Sequence, residues 1–128
     1  KFVKPIETSV RFHGFLSRGN LFKIFKHAHF IILPSKSEGF PKVIAEASNF
    51  GCIPIVSKVG SISHYIKHGV NGFLWDQEKT DFQSFFNNIL DSLNENDIKN
   101  MAINAHNSSS KFTYERYNLL LRKKILSK

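Results

Sequence analysis

Two short, continuous apolar runs separated by the length of one helix constrain this chain more than any other feature. Phe30-Ile31-Ile32-Leu33 and Ile53-Pro54-Ile55-Val56-Ser57 are too short for helices and too uniformly apolar for strands that face water on one side. A strand covered on both faces gives that pattern, and parallel sheets with crossover helices above and below provide the cover. Pro34 stops the first run. The segment between the runs predicts a helix beginning at Pro41, where a missing N–H costs nothing, and ending near Gly51 as a left-handed cap. The proline of the second run lies near its start, where a strand tolerates it. Asn71-Gly72 then turns the chain into a further strand, Phe73-Leu74-Trp75.

The flanks complete the pattern. Ser9-Val10-Arg11-Phe12-His13 alternates polar and apolar until Gly14 and predicts a short strand. Asn20 is a candidate cap for a helix through about Lys26, with Leu21, Ile24 and Phe25 on one face. Gly60-Ser61 leads into a short helix, roughly Ser63 to Lys67, and from Thr80 onward the spacing predicts helices over about 81–93, 95–109 and 114–126. Strand and helix alternate over residues 8–76, and residues 80–126 are helical. The fold class is therefore α/β, a partial Rossmann-like parallel sheet with flanking helices, in a single domain spanning 1–128.

Length and composition narrow the functions open to such a domain. With 128 residues, 41% of them hydrophobic and thirteen of them Phe, the chain can bury a real core. Eighteen Lys and Arg against ten Asp and Glu give a net charge of +8, which favours phosphates, an acidic membrane surface or nucleic acid as partners. The single Cys52 cannot form an intrachain disulfide, and no apolar stretch approaches the span of a bilayer, so a cytoplasmic setting is expected. The first residues do not make a signal peptide, and the chain, whose only methionine is Met101, reads as a piece of a longer protein.

Within this frame one residue is out of place. Ser37-Glu38-Gly39-Phe40-Pro41-Lys42-Val43-Ile44-Ala45-Glu46-Ala47 puts Glu46 where a helix should bury carbon, and Glu38 in the loop before it. A buried carboxylate needs hydrogen-bond donors or takes up a proton. Protein groups, Lys42 on the same helical face among them, or the hydroxyls of a bound sugar or ribose would serve. In open parallel sheets ligands bind beyond the carboxyl ends of the strands. Glu38 to Pro41 fall there, Gly39 allows close backbone approach, and the N–H groups at the start of the helix, with a dipole worth about half a unit charge, form a natural diphosphate site. Glu38 only accepts hydrogen bonds, which suits sugar hydroxyls. Glu46 follows Pro41 by five residues, about 7–8 Å along the axis, which would place it deeper, near a ribose.

Glu38 and Glu46, with seven residues between them, resemble the E-x7-E signature of retaining GT-B glycosyltransferases of family 4, the glycosyl transferases group 1. Phe12-His13-Gly14-Phe15, Leu33-Pro34-Ser35, Gly51-Cys52-Ile53-Pro54-Ile55-Val56-Ser57 and Val70-Asn71-Gly72-Phe73-Leu74 resemble further signatures of that family in the same order, over roughly residues 10–95. The resemblance implies the C-terminal, donor-binding half of a GT-B fold. It implies that Glu38 is the catalytic-site carboxylate touching donor-sugar hydroxyls, and that the backbone at Gly39 and Phe40 approaches the sugar and diphosphate. Glu46 would hold the ribose diol, and Gly14-Phe15-Leu16-Ser17 the nucleobase. Pro41 departs from many relatives by lacking an N–H, which shifts its phosphate contact to Lys42 or Val43. The Gly60-Ser61-Ile62-Ser63-His64 stretch departs as well. The implied donor is a nucleotide-diphosphate sugar, with no metal and no other cofactor. The acceptor, a glycan or lipid, would be bound by an N-terminal half not in this sequence, as would two basic residues that neutralise the diphosphate, so the isolated piece is expected to be inactive. The family's strand order leaves an exposed edge at Phe30–Leu33, which predicts marginal stability or self-association.

Other signals are weaker. His64 and His68 stand four apart on a candidate helix, a zinc-binding spacing, but no carboxylate or third ligand is near in sequence. His27 and His29 fit packing or surface positions. Arg122-Lys123-Lys124 after Leu119-Leu120-Leu121 fits peripheral contact with an acidic membrane and equally a solvated basic face. Two functions compete with glycosyl transfer: a sugar-nucleotide epimerase of the same fold, and a basic nucleic-acid-binding module. The second rests only on net charge, and the charges run from Lys1 to Lys128 rather than along one face, so nucleic acid is not an expected partner.

Overall fold

The computed structural model describes residues 10–36, 41–110 and 114–126. Three strands, β1 (Phe30–Leu33), β2 (Ile53–Ser57) and β3 (Phe73–Trp75), form a parallel sheet in the order β1-β2-β3. Ile32 pairs with Ile55 across the first ladder and Val56 with Leu74 across the second. The described residues form five α-helices: α1 (Arg18–His27), α2 (Lys42–Asn49), α3 (Phe82–Ser92) and α4 (Glu95–Ser109), which flank the sheet, and α5 (Tyr114–Leu121). A 3-10 turn covers Ile62–His64.

The central strand explains the apolar runs. All five residues of β2 are buried, and its side chains alternate between two cores. Ile53 and Ile55 pack with Phe73, Ile89 and Met101 beneath α3 and α4. Val56 packs with Ile44, Ile62 and Ile66 on the opposite face. Phe25, Ala47 and Cys52 form a third cluster that binds α1 to α2. Burial pushes the Cys52 thiol up from its ordinary value, and its sulfur lies 3.3 Å from the Phe25 carbonyl oxygen.

A polar knot closes the fold before β3. Asn71 is buried, accepts the Lys67 N–H at 2.6 Å, and donates to the Tyr65 carbonyl at 3.0 Å and the Ser108 hydroxyl at 2.9 Å. Gly72 beside it has no room for a side chain, because a Cβ there would stand 2.7 Å from both Pro54 Cγ and Pro54 O. The proline inside β2 is thus accommodated by the glycine that opens β3. Gly51 ends the α2 connection with φ +84°, the left-handed geometry expected of it.

The structure corrects several boundaries. Residues 10–13 form no strand, and residue 9 lies outside the described residues. A strand needs a ladder partner, and Val10 and Phe12 instead stand exposed, Phe12 at 96%. Ser17, not Asn20, caps α1, its hydroxyl accepting the Asn20 N–H at 3.3 Å. Pro41 is the residue before the first helical turn rather than part of it, with φ −74° and ψ 118°. The helix foreseen over Ser63 to Lys67 shrinks to the 3-10 turn, whose last residue, His64, is followed by a chain that bends away to make the Asn71 knot. The last helix keeps α geometry to Leu121 and widens into a π-type turn over Arg122–Leu126. Among the described residues β1 and β3 are the two edges of the sheet, and Ile32 of β1 is 42% exposed.

Candidate functional site

Parallel strands bring three chain exits to one side of the sheet, at Leu33, Ser57 and Trp75. One side chain joins all three exits. The Gln77 amide donates to the Ser35 carbonyl at 3.1 Å and to the buried Ser57 hydroxyl at 2.7 Å, so the connection after β3 is fastened to the end of β2 and to the segment leaving β1. The segment leaving β1 leads to α2. The first N–H groups of an α-helix have no partner inside it, so Lys42 and Val43 present donors toward this side. Lys42 is exposed, whereas the Val43 side chain packs into the core and leaves only its backbone for a ligand.

Glu46 sits in the second turn of α2. Its side chain is 20% exposed, and its Oε1 accepts from Arg18 Nη2 at 3.1 Å. Lys42, the same-face partner considered above, is not the one used. Lys four residues before Glu is the less favourable helical order, and an arginine fork reaching over from the start of α1 replaces it. The Arg18 guanidinium also lies over the Phe22 ring, 5.3 Å from its centre. Arg18 directly follows Gly14-Phe15-Leu16-Ser17. Gly14 takes φ +62°, the left-handed region that turns this loop, Phe15 is fully exposed, Leu16 is half-buried, and Ser17 serves as the helix cap.

The structure thus brings Glu46, Lys42, Val43, buried Pro41 and the 14–17 loop to one region, joined through Arg18. Glu38, Gly39 and Phe40 lie outside the described residues. Arg18 and Gln77 are the residues that sequence reasoning missed. Arg18 had a signal, as a cation next to the candidate base loop; Gln77 had none, because its role appears only once three loops meet. His68 is engaged in packing: its Nδ1 accepts the Leu74 N–H at 3.0 Å, and its ring meets the edge of Phe73.

A parallel α/β sheet with helices on both faces and a polar mouth at its carboxyl end is the architecture of a GT-B glycosyltransferase fold. The chain belongs to the glycosyl transferases group 1 family, whose model matches residues 4–108. It is similar to two relatives from Methanocaldococcus jannaschii. The uncharacterized glycosyltransferase MJ1607 is 39% identical over 70 residues, which are 55% of this chain and 18% of that protein. The uncharacterized glycosyltransferase MJ1178 is 30% identical over 95 residues, 73% of this chain and 26% of that protein. Among solved structures, Anabaena Alr3699/HepE in complex with UDP-glucose is similar at a TM-score of 0.75 and 24% identity, covering 99% of this chain and 37% of that one. The same protein in complex with UDP and glucose gives a TM-score of 0.76 at 24% identity, covering 97% of this chain and 34% of that one. These likenesses establish the fold. The chain spans about a quarter or less of the length of the curated relatives it matches.

Proposed function

We propose that this chain is the donor-binding part of a retaining glycosyltransferase that takes a nucleotide-diphosphate sugar and transfers the sugar to a hydroxyl of a glycan or lipid. The carrying observation is a half-buried carboxylate, Glu46, tied by Arg18 to the 14–17 loop beside the exposed start of α2. The UDP and UDP-glucose complexes of HepE support a uridine nucleotide as the donor class. In this reading the 14–17 loop holds the base, Glu46 accepts from the ribose diol, and the Lys42 and Val43 N–H groups with the helix dipole take the diphosphate without a metal. Glu38 receives donor-sugar hydroxyls. The diphosphate departs, and the acceptor hydroxyl attacks from the same face, so the anomeric configuration is kept. The protein acts by positioning and by stabilising charge. Turnover needs an acceptor-binding domain beyond these 128 residues, and the chain alone does not catalyse. The exposed Leu119 and Ile125 beside Arg122 and Lys124 supply a peripheral contact with acidic membrane at the cytoplasmic face.

Calorimetric titration of the full-length protein with UDP-, GDP- and ADP-sugars, repeated with Glu46→Ala, tests the reading. Binding of one donor class that is lost with Glu46 is expected. Donor binding indifferent to Glu46, or RNA binding in its place, would refute it.

A further inference from the structure

We propose that Arg18 is a positioning residue for the nucleotide: by occupying Oε1 of Glu46 it fixes the orientation of the carboxylate and leaves Oε2 as the acceptor for the ribose diol. This rests on the reading above that Glu46 binds ribose. A carboxylate offers about four lone-pair positions on two oxygens, so one guanidinium contact at 3.1 Å leaves capacity for a diol.

Three observations favour a role in the site over a role in the fold. The pair links residues 28 apart, on the first turn of α1 and the second turn of α2, although Lys42 stands closer on the Glu46 helix. Arg18 is 67% exposed, and ion pairs of such exposure contribute little to folding. The third is bracing: the guanidinium rests over the Phe22 ring, which in turn lies 5.1 Å from the ring of Phe50 just after α2. An exposed arginine held by both an aromatic face and a carboxylate loses less freedom when a ligand arrives than a free one would.

The test is calorimetric affinity for UDP and for 2′,3′-dideoxy-UDP, which lacks the diol, measured on the full-length protein and its Arg18→Gln, Arg18→Lys, Glu46→Gln and double Arg18→Gln/Glu46→Gln variants. Arg18→Gln should weaken UDP roughly 2–5-fold, the range an exposed charge pair can carry, while leaving dideoxy-UDP unchanged. Arg18→Lys should restore part of the loss, and the double variant should bind UDP no worse than Glu46→Gln alone. A loss shared equally by both nucleotides would assign Arg18 to structure and overturn the proposal. So would unchanged UDP affinity in Arg18→Gln while Glu46→Gln still erases the preference for UDP over its dideoxy form. If Glu46→Gln leaves that preference intact, the ribose reading itself falls, and the proposal with it.

Discussion

The Asn71 knot and the Glu46 mouth are both polar, and they stand at opposite ends of the argument about what polarity is for. Asn71 is buried, and the three hydrogen bonds its side chain makes all end on protein groups. Glu46 is half-buried and, among the described residues, has one oxygen engaged, by an arginine that is itself mostly in water. A fully satisfied buried group specifies a fold. On the function proposed above, a partly satisfied carboxylate at the carboxyl end of a parallel sheet accepts from an external donor instead. Substitutions in the first region should therefore move stability, and those in the second should move affinity.

The largest effect is expected in the core that the knot closes. Ile55→Ala removes a side chain 1% exposed at the centre of β2 and should lower unfolding free energy by about 2–5 kcal/mol in urea titration. Nucleotide affinity of the fraction still folded should not change; a specific loss of affinity would break the division between the two regions. Asn71→Ala strands the Lys67 N–H, the Tyr65 carbonyl and the Ser108 hydroxyl together, and about 2–4 kcal/mol is expected from the same titration. A cost below about 1 kcal/mol would mean that water replaces the side chain, and the knot would then resemble the mouth.

Gln77 lies between the two regions. It secures buried Ser57 as Asn71 secures the loop before β3 to α4, yet it stands where the segment toward α2 begins. Gln77→Leu gives up two hydrogen bonds and should cost about 1–2 kcal/mol, measured by thermal melting. If the mouth depends on how the three exits are joined, donor affinity should fall as well. Lost stability with donor affinity unchanged would assign Gln77 wholly to the fold.

This division also explains what could be read from the amino-acid order. Strand β2 was legible because burial on both faces leaves an uninterrupted apolar run after Gly51, and the partly buried β1 and β3 beside it keep shorter runs marked off by Pro34 and Asn71-Gly72. Helices α3 and α4 were legible from their apolar period, since each packs one face on a sheet. The Ser9–His13 strand failed because alternation shows what a segment could pair with, whereas pairing itself is a property of neighbours. Ser17 was not legible as a cap because Asn20, three residues on, offers the same kind of capping side chain. Glu46 stood out as a carboxylate among Ile44, Ala45 and Ala47. Its partner did not, because a contact across 28 residues leaves no periodic trace.

The smallest effect compares two carboxylates. Asp81 caps α3 with both oxygens: Oδ1 accepts the Ser84 N–H at 2.9 Å and Oδ2 the Ser84 hydroxyl at 2.8 Å. These bonds, the backbone one foremost, hold its carboxyl below the ordinary value of 3.8. A group whose folded value is lowered contributes stability above its unfolded value and loses it as pH falls through the folded one. The melting-temperature gap between the protein and Asp81→Ala should therefore be widest near neutral pH and close as pH drops below 3.8, while the Asn71→Ala gap, with no titrating group, stays level. Asp81→Ala should leave UDP affinity untouched, whereas Glu46→Gln should change affinity and barely move the melting temperature. Should Asp81→Ala weaken UDP binding, a carboxylate with both oxygens committed to its own helix would be behaving like one with an oxygen to spare, and the rule that separates mouth from fold would not hold.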